Sequence, residues 1–182
     1  MSLPTLESER LVLRPFDAEA DAAAVERLAG DFAIADATLT VPHPYPAGAG
    51  AAWIATHAER WASGSGLTLA IASGENPADV VGAIGVSITA EHRRAELGYW
   101  IGVPYWGRGY ATEASRALLR FGFAELALHR IQARHFLRNP ASGRVLEKVG
   151  MQFEGVMRGS LRKWDRFEDA AMYAALAPEW LA

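Results

Sequence analysis

Apolar and polar positions change rhythm along this chain, and each change predicts a different element. RLVLRPF, Arg10 to Phe16, alternates Leu11 and Leu13 with Val12 and Arg14 before Pro15, which predicts a short strand. Asp17 stands where a helix cap belongs, ahead of the alanine-rich AEADAAAVERLAG closing at Gly30. The segment from Asp31 to Pro46 contains Pro42, Pro44 and Pro46 and reads as irregular. A second helix is predicted over Ala47 to Ala62, ended by the SGSG run at Ser63 to Gly66. The period then shortens to that of strands: Leu67 to Ser73, Asp79 to Ile88 and Ala95 to Gly102, joined as two successive hairpins. A helix from Gly107 to Leu126, a strand at Arg130 to Leu137 and a helix from Pro140 to Gly150 follow. Two strands, Met151 to Arg158 and Asp169 to Leu176, close the pattern. This order predicts one α/β domain over 1–182, with a parallel crossover around the helix at 107–126.

Composition narrows the partners. Apolar residues make up 51% of the 182 positions and charged residues 21%, with a net charge of -3 and acids and bases interleaved. No stretch has the basic density of a phosphate-backbone reader, so nucleic acid is not expected as a partner. The absence of cysteine excludes disulfides, cysteine nucleophiles and thiolate metal sites. No apolar run reaches the roughly 18 residues of a membrane span, and MSLPTLESERLVLRPF lacks the features of a signal peptide. A soluble cytoplasmic protein is expected. The five histidines show no HxxxH or HExxH spacing, and the carboxylates form no ligand pattern, so no metal is expected.

Two strand-to-helix turns carry the candidate chemistry. YWGRGYATEA, Tyr105 to Ala114, leaves the strand LGYWIGV and opens a helix in which Ala111, Ala114, Leu118 and Phe121 repeat at helical spacing. Small residues there let backbone amides face a ligand, and the unpaired first-turn N–H groups favour an anion such as a diphosphate. The stretch is neither GxGxxG nor a P-loop, which argues against NAD and ATP. RNPASGRVLEKVGM, Arg138 to Met151, repeats the arrangement, with Asn139 as the cap, Pro140 at the first helical position and Gly150 as the stop. On the strand at 95–101, alternation places Glu96, Gly98 and Trp100 on one face and Leu97, Tyr99 and Ile101 on the other. Gly98 leaves space between Glu96 and Trp100 for a substrate, and Glu96 is a candidate general base or an ion-pair partner of Arg93 or Arg94.

The order and separation of ELGYWIGVPYWGRGYATEA, RNPASGRVLEKVGM, FEGVMRG and EDAAMYAAL resemble the GNAT superfamily of acyl-CoA N-acyltransferases. Within it, the chain is similar to the branch with ribosomal-protein N-terminal acetyltransferases of the RimJ/RimL type. The resemblance implies a mixed, mostly antiparallel twisted sheet of about six to seven strands flanked by about four helices. It also implies acetyl-CoA as co-substrate. The family's Gln/Arg-x-x-Gly-x-Gly/Ala pyrophosphate loop matches Trp106, Gly107, Arg108, Gly109, Tyr110 and Ala111, with Trp106 replacing the usual first residue. Ile101, Gly102 and Val103 match the segment that pairs with the pantetheine arm and whose amide polarises the acetyl carbonyl. Asn139 and Ser142 match positions that touch the cofactor. Many members protonate the leaving thiolate with a tyrosine; none stands in this second motif, so Ser142 is the candidate acid. Glu154 matches a position often acidic in the branch and is a second candidate base, or a partner of Arg158 or Arg162. His135 reads as a packed strand residue. Trp53, Trp61, Trp164 and the segment His43 to Pro46 are expected near the acceptor, or in core or subunit contacts.

The implied reaction is direct attack of a primary amine on the thioester with both substrates bound. The acceptor is a protein N-terminal α-amine or a small amine such as a polyamine, an amino acid or an antibiotic. A non-catalytic acyl-CoA sensor is the other reading. The resemblance also allows a homodimer.

Overall fold

The β-branched and leucine-rich runs between Leu67 and Ile88 are buried on both faces and form the centre of a sheet. The computed structural model describes residues 2–181. Its strands are β1 (Leu6–Glu7), β2 (Leu11–Arg14), β3 (Gly66–Ser73), β4 (Val80–Thr89), β5 (Arg94–Ile101), β6 (Arg130–Phe136), β7 (Gln152–Lys163) and β8 (Arg166–Leu176). The helices are α1 (Ala18–Ala29), α2 (Phe32–Ala37), α3 (Ala49–Ala62), α4 (Tyr110–Ala124), α5 (Pro140–Lys148) and α6 (Ala177–Trp180). All eight strands join one sheet in the order β1-β2-β3-β4-β5-β6-β8-β7, more than the six to seven expected.

Every neighbouring pair is antiparallel except β5 and β6, which α4 connects as the expected crossover. That parallel pair is short. Its register holds only Arg94 to Arg130, Ala95 to Ile131 and Glu96 to Gln132. Beyond Glu96, β5 stays with β4 as far as Ile101, while β6 stays with β8 as far as Phe136. The sheet therefore opens into a wedge in its middle.

α4 covers one face of that wedge. Its buried side carries Leu118, Leu119 and Phe123, each worth about 1.5–3 kcal/mol of burial. Together with Leu67, Leu69, Ile84, Leu97, Ile131 and Leu146 they belong to the main core. On the opposite face α1 and α3 pack a second cluster of Val25, Ala29 and Ile54. A buried ion pair fastens α1 to the sheet: Arg14 donates twice to Asp21, at 2.7 and 2.9 Å, and Asp21 is 1% exposed.

Several boundaries depart from the sequence reading. The segment expected to be irregular contains α2, because the prolines begin only at Pro42 and Asp31 caps the helix by accepting from the Ala33 amide at 2.8 Å. α4 begins at Tyr110 rather than Gly107, since Gly107 and Gly109 hold φ of +76° and +81°. The last hairpin is longer than predicted, with β7 running to Lys163 and β8 starting at Arg166. β1 was not anticipated.

Candidate active site

Backbone conformation builds one end of the site. Left-handed φ at Gly107 and Gly109 costs an L-residue about 1–2 kcal/mol. The turn they make aims successive amides outward. Among the described residues, none of the amides of 107–112 finds a hydrogen-bond acceptor, and the first α4 bond runs from the Glu113 N–H to the Gly109 carbonyl at 3.1 Å. A side chain at Gly107 would meet no protein atom within 4 Å, so the space before these amides is open. This concave row of donors at a helix N-terminus fits an anionic diphosphate.

The N-terminal arm fixes this turn. Glu113 accepts from the Arg10 amide at 2.7 Å, Arg10 Nε at 2.8 Å and Ser8 Oγ at 2.8 Å. Arg10 Nη1 in turn donates to the Arg108 carbonyl at 3.0 Å. Burial pushes the Glu113 carboxyl up, but these donors outweigh it and hold it below the usual range. The Arg108 side chain itself folds back, donating to the Pro104 carbonyl at 3.3 Å and lying over the Tyr105 ring. It does not line the cleft below.

A cleft of about 930 Å³ runs from this turn through the wedge between β5 and β6 to the far side of the sheet. Trp106, Gly107, Gly109, Tyr110, Ala111, Ile101, Asn139, Ser142 and Glu96 all line it. Gly102 and Val103 do not. The Gly102 amide is committed to the Val81 carbonyl at 2.8 Å, so strand alternation turns the Ile101 amide toward the opened edge. The Ile101 carbonyl accepts from Trp106 Nε1 at 2.6 Å, which gives Trp106 a structural task in place of the residue usual in the loop.

Asn139 caps α5 as expected, its side chain accepting from the Ser142 amide at 3.4 Å. Ser142 Oγ lies 2.8 Å from the hydroxyl of Tyr99. The second motif thus has a tyrosine after all, supplied by β5 across the wedge. Burial pushes the Tyr99 phenol up to about 12, partly opposed by the bond to Ser142, so it keeps its proton throughout the neutral range. Its place on the face shared with Leu97 and Ile101 was the signal in the sequence.

On the other face, a side chain at Gly98 would meet nothing within 4 Å, and Glu96 and Trp100 line the cleft on either side of this gap. Glu96 is paired with neither Arg93 nor Arg94. It accepts from Gln132 Nε2 at 3.4 Å, its partner on the short parallel ladder, and from Arg134 Nε at 2.9 Å, two residues further along β6, and remains about one-third exposed, at 34%. Glu154 lies outside the cleft lining, on edge strand β7. Arg130, rather than Arg158 or Arg162, grips both its oxygens at 2.7 and 2.5 Å and holds its carboxyl below the usual range. Of the tryptophans expected near the acceptor only Trp53 lines the cleft; Trp61 donates to the Ser2 carbonyl and Trp164 to Asp36. His135 is buried, its Nδ1 within 2.8 Å of the Phe136 carbonyl, and it also lines the cleft.

The cleft's outer wall is the strap Thr38 to Val41, after α2. Lys163, 7% exposed, donates to the Leu39 and Val41 carbonyls at 3.3 and 2.8 Å and so ties this wall to the β7–β8 turn. Asp36 joins the same anchor, accepting from Arg138 at 2.7 Å and Trp164 at 2.8 Å.

Comparisons with known proteins agree with this architecture. The chain is 39% identical over 101 residues to the uncharacterised N-acetyltransferase YoaA of Bacillus subtilis (strain 168), covering 55% of this chain and 57% of that one. It is 32% identical over 84 residues to the ribosomal protein uS5 alanine N-acetyltransferase of Escherichia coli (strain K12), covering 46% and 43% respectively. The matched region spans about half the length of these curated relatives. Among solved structures, Mycobacterium smegmatis RimJ in complex with CoA-disulfide superposes with a TM-score of 0.84 at 25% identity, covering 97% of this chain and 88% of that one. Residues 10–152 match the model of the acetyltransferase (GNAT) domain, and the chain belongs to that family.

Proposed function

We propose that this protein is an acetyl-CoA-dependent N-acetyltransferase that acts on a primary amine by direct transfer, with both substrates bound together. The observation that carries this reading is the continuity of one cleft. It runs from unpartnered amides at 107–112, through a wedge with a free strand edge, to a gap at Gly98 on the opposite face. Mycobacterium smegmatis RimJ, of the same fold, is solved in complex with CoA-disulfide, which supports this reading.

Bound acetyl-CoA supplies a thioester, an acyl group activated toward an amine. The chain's residues supply position and charge. Amides of Gly107, Arg108, Gly109, Tyr110 and Ala111 hold the diphosphate, and Arg144 and Lys148, which line the same cleft, add positive charge. The opened edge at Ile101 pairs with the pantetheine amides, and its N–H is directed to the acyl carbonyl oxygen, where negative charge develops during attack. The gap at Gly98 admits the amine from the other face. Glu96, at the rim of that gap, takes the proton that the ammonium form must lose. Tyr99 and Ser142, whose hydroxyls share a hydrogen bond, pass a proton to the departing sulfur through Ser142 Oγ, and Tyr99 regains its proton from solvent as products leave; the Asn139 cap holds the Ser142 backbone in place. Glu154, bidentate on Arg130 and off the cleft, has no part in this scheme.

The acceptor we favour is a peptide or protein N-terminal α-amine, a reading supported by the relative named as an alanine N-acetyltransferase of ribosomal protein uS5. The test is thiol release from acetyl-CoA with pooled peptides differing in their first residue, beside a panel of small amines. Release with peptides of one N-terminal class supports the assignment. Release with small amines alone would move the acceptor to metabolism, and silence in both panels with acetyl-CoA bound would overturn the transferase reading.

A further inference from the structure

The acceptor end of the cleft carries an unmatched cation. The fixed charges lining the whole cleft are Arg60, Glu96, Arg134, Arg144 and Lys148, one carboxylate among four cations, in a chain whose net charge is -3. Arg144 and Lys148 stand on α5, toward the phosphates. Arg134 is matched by Glu96 at 2.9 Å. Arg60 remains, with no carboxylate within 4.0 Å among the described residues.

Arg60 is not a loose surface side chain. Its guanidinium occupies the room left by Gly66, where a Cβ would lie 2.6 Å from Nη2, and Nη2 donates to Ser87 Oγ at 3.0 Å. That bond uses one of its five donors. Ser87 faces Glu96 in the β4–β5 register, so the seated guanidinium lies one strand from the carboxylate at the rim of the Gly98 gap. A planar fork with spare donors, held in place beside a substrate path, matches a carboxylate.

We propose that the acceptor is a peptide N-terminus with an acidic side chain at its second or third residue, bound by Arg60. This rests on the N-acetyltransferase reading above. Spacing supports it. Gly98 and Glu96 are two residues apart, and Ser87 lies across from Glu96, so Arg60 sits about 7 Å along the strand from the amine gap. An extended peptide covers the same distance between its first and third residues. A polyamine entering by this route would instead bring like charge against Arg60.

The experiment compares kcat/KM for peptides identical except for Asp, Ala or Lys at positions two and three, with spermidine as a polycation, for the native protein, Arg60→Met and Arg60→Glu. The native protein should favour the Asp peptide over the Lys peptide about tenfold, a charged hydrogen bond discounted for partial exposure. Arg60→Met should remove most of that ratio and Arg60→Glu should invert it. Acetyl-CoA binding by calorimetry checks that each variant is folded; should the Glu variant fail, the Met variant decides. Equal rates for Asp and Lys peptides, a preference for spermidine, or an Asp preference that survives Arg60→Met would overturn the inference while leaving the transferase intact. Absence of turnover with every acceptor, with acetyl-CoA bound, would instead overturn the transferase reading and this inference with it.

Discussion

Replacing Gly107 by alanine separates what the turn costs the protein from what it does for a ligand. Gly107 sits at φ +76°, and an added Cβ meets no protein atom within 4 Å. The folded state should therefore lose only the left-handed backbone penalty, about 1–2 kcal/mol. In a chain of 182 residues each kcal/mol lowers Tm by about 2–4 °C. Gly64 provides the control, with φ +68° and equally open surroundings but a place at the end of α3, outside the cleft. Gly64→Ala should show the same loss of Tm and bind coenzyme A normally. Gly107→Ala sets a methyl group where the diphosphate meets the amides. Losing one charge-assisted hydrogen bond costs about 1.5–3 kcal/mol, which weakens binding by about tenfold or more. Differential scanning calorimetry and titration calorimetry with coenzyme A on both variants measure the two quantities. If both lose the same stability and Gly107→Ala still binds within about twofold of the native protein, the diphosphate does not rest against this turn.

Three further outcomes are expected. Glu96→Gln should lower turnover near neutral pH and move the rate profile upward, toward the α-amine's own pKa near 8, with coenzyme A affinity retained; an unchanged profile removes Glu96 from the proton path. Tyr99→Phe and Ser142→Ala should each lower kcat by about tenfold or more, and the double variant should lose little beyond either one, because they share one bond of 2.8 Å; additive losses in steady-state kinetics would mean that they act separately. Burial pushes the Asp21 carboxyl up, but bonds from Arg14 and the Asp17 amide hold it below its ordinary value. Its contribution is therefore full above the unfolded carboxyl's pKa near 4 and is lost as pH falls through the folded value. Asp21→Asn should cost about 3–5 kcal/mol at neutral pH and flatten the acid limb of a urea-derived stability curve; an acid limb of undiminished slope would show that other carboxylates govern it.

What the sequence made legible was local. Gly107 and Gly109 stand out because few residues other than glycine accept the left-handed turn, and the period-two pattern of β5 separates Gly98 and Glu96 from Tyr99 and Ile101 before any coordinate is known. Asn139 was readable as a cap because its role is completed three residues away. The pairings that define the site's charge were not readable, since they depend on the register of distant strands. Glu96 meets Arg134 only because β5 and β6 run parallel with Glu96 opposite Gln132. Tyr99 meets Ser142 across 43 positions of sequence, and Lys163 reaches the strap at Val41 across 122. The extent of β7 was hidden for a different reason. It is an edge strand exposed over most of its length, with register shifts at Phe153/Gly155 and Met157/Leu161, so its side chains show no buried alternation. α2 had its capping signal at Asp31, but the prolines that follow masked it.

The central claim is direct transfer from a thioester at the opened edge by Ile101, its diphosphate held at 107–111, to an amine entering at Gly98. A single-turnover experiment with acetyl-labelled acetyl-CoA, enzyme in excess and an acidic N-terminal peptide tests it most directly, with label followed by mass spectrometry in peptide, protein and free acetate. The label should pass to the peptide α-amine in one phase, with none on the protein at any time. Label trapped on Ser142, or released only as acetate, would contradict the account.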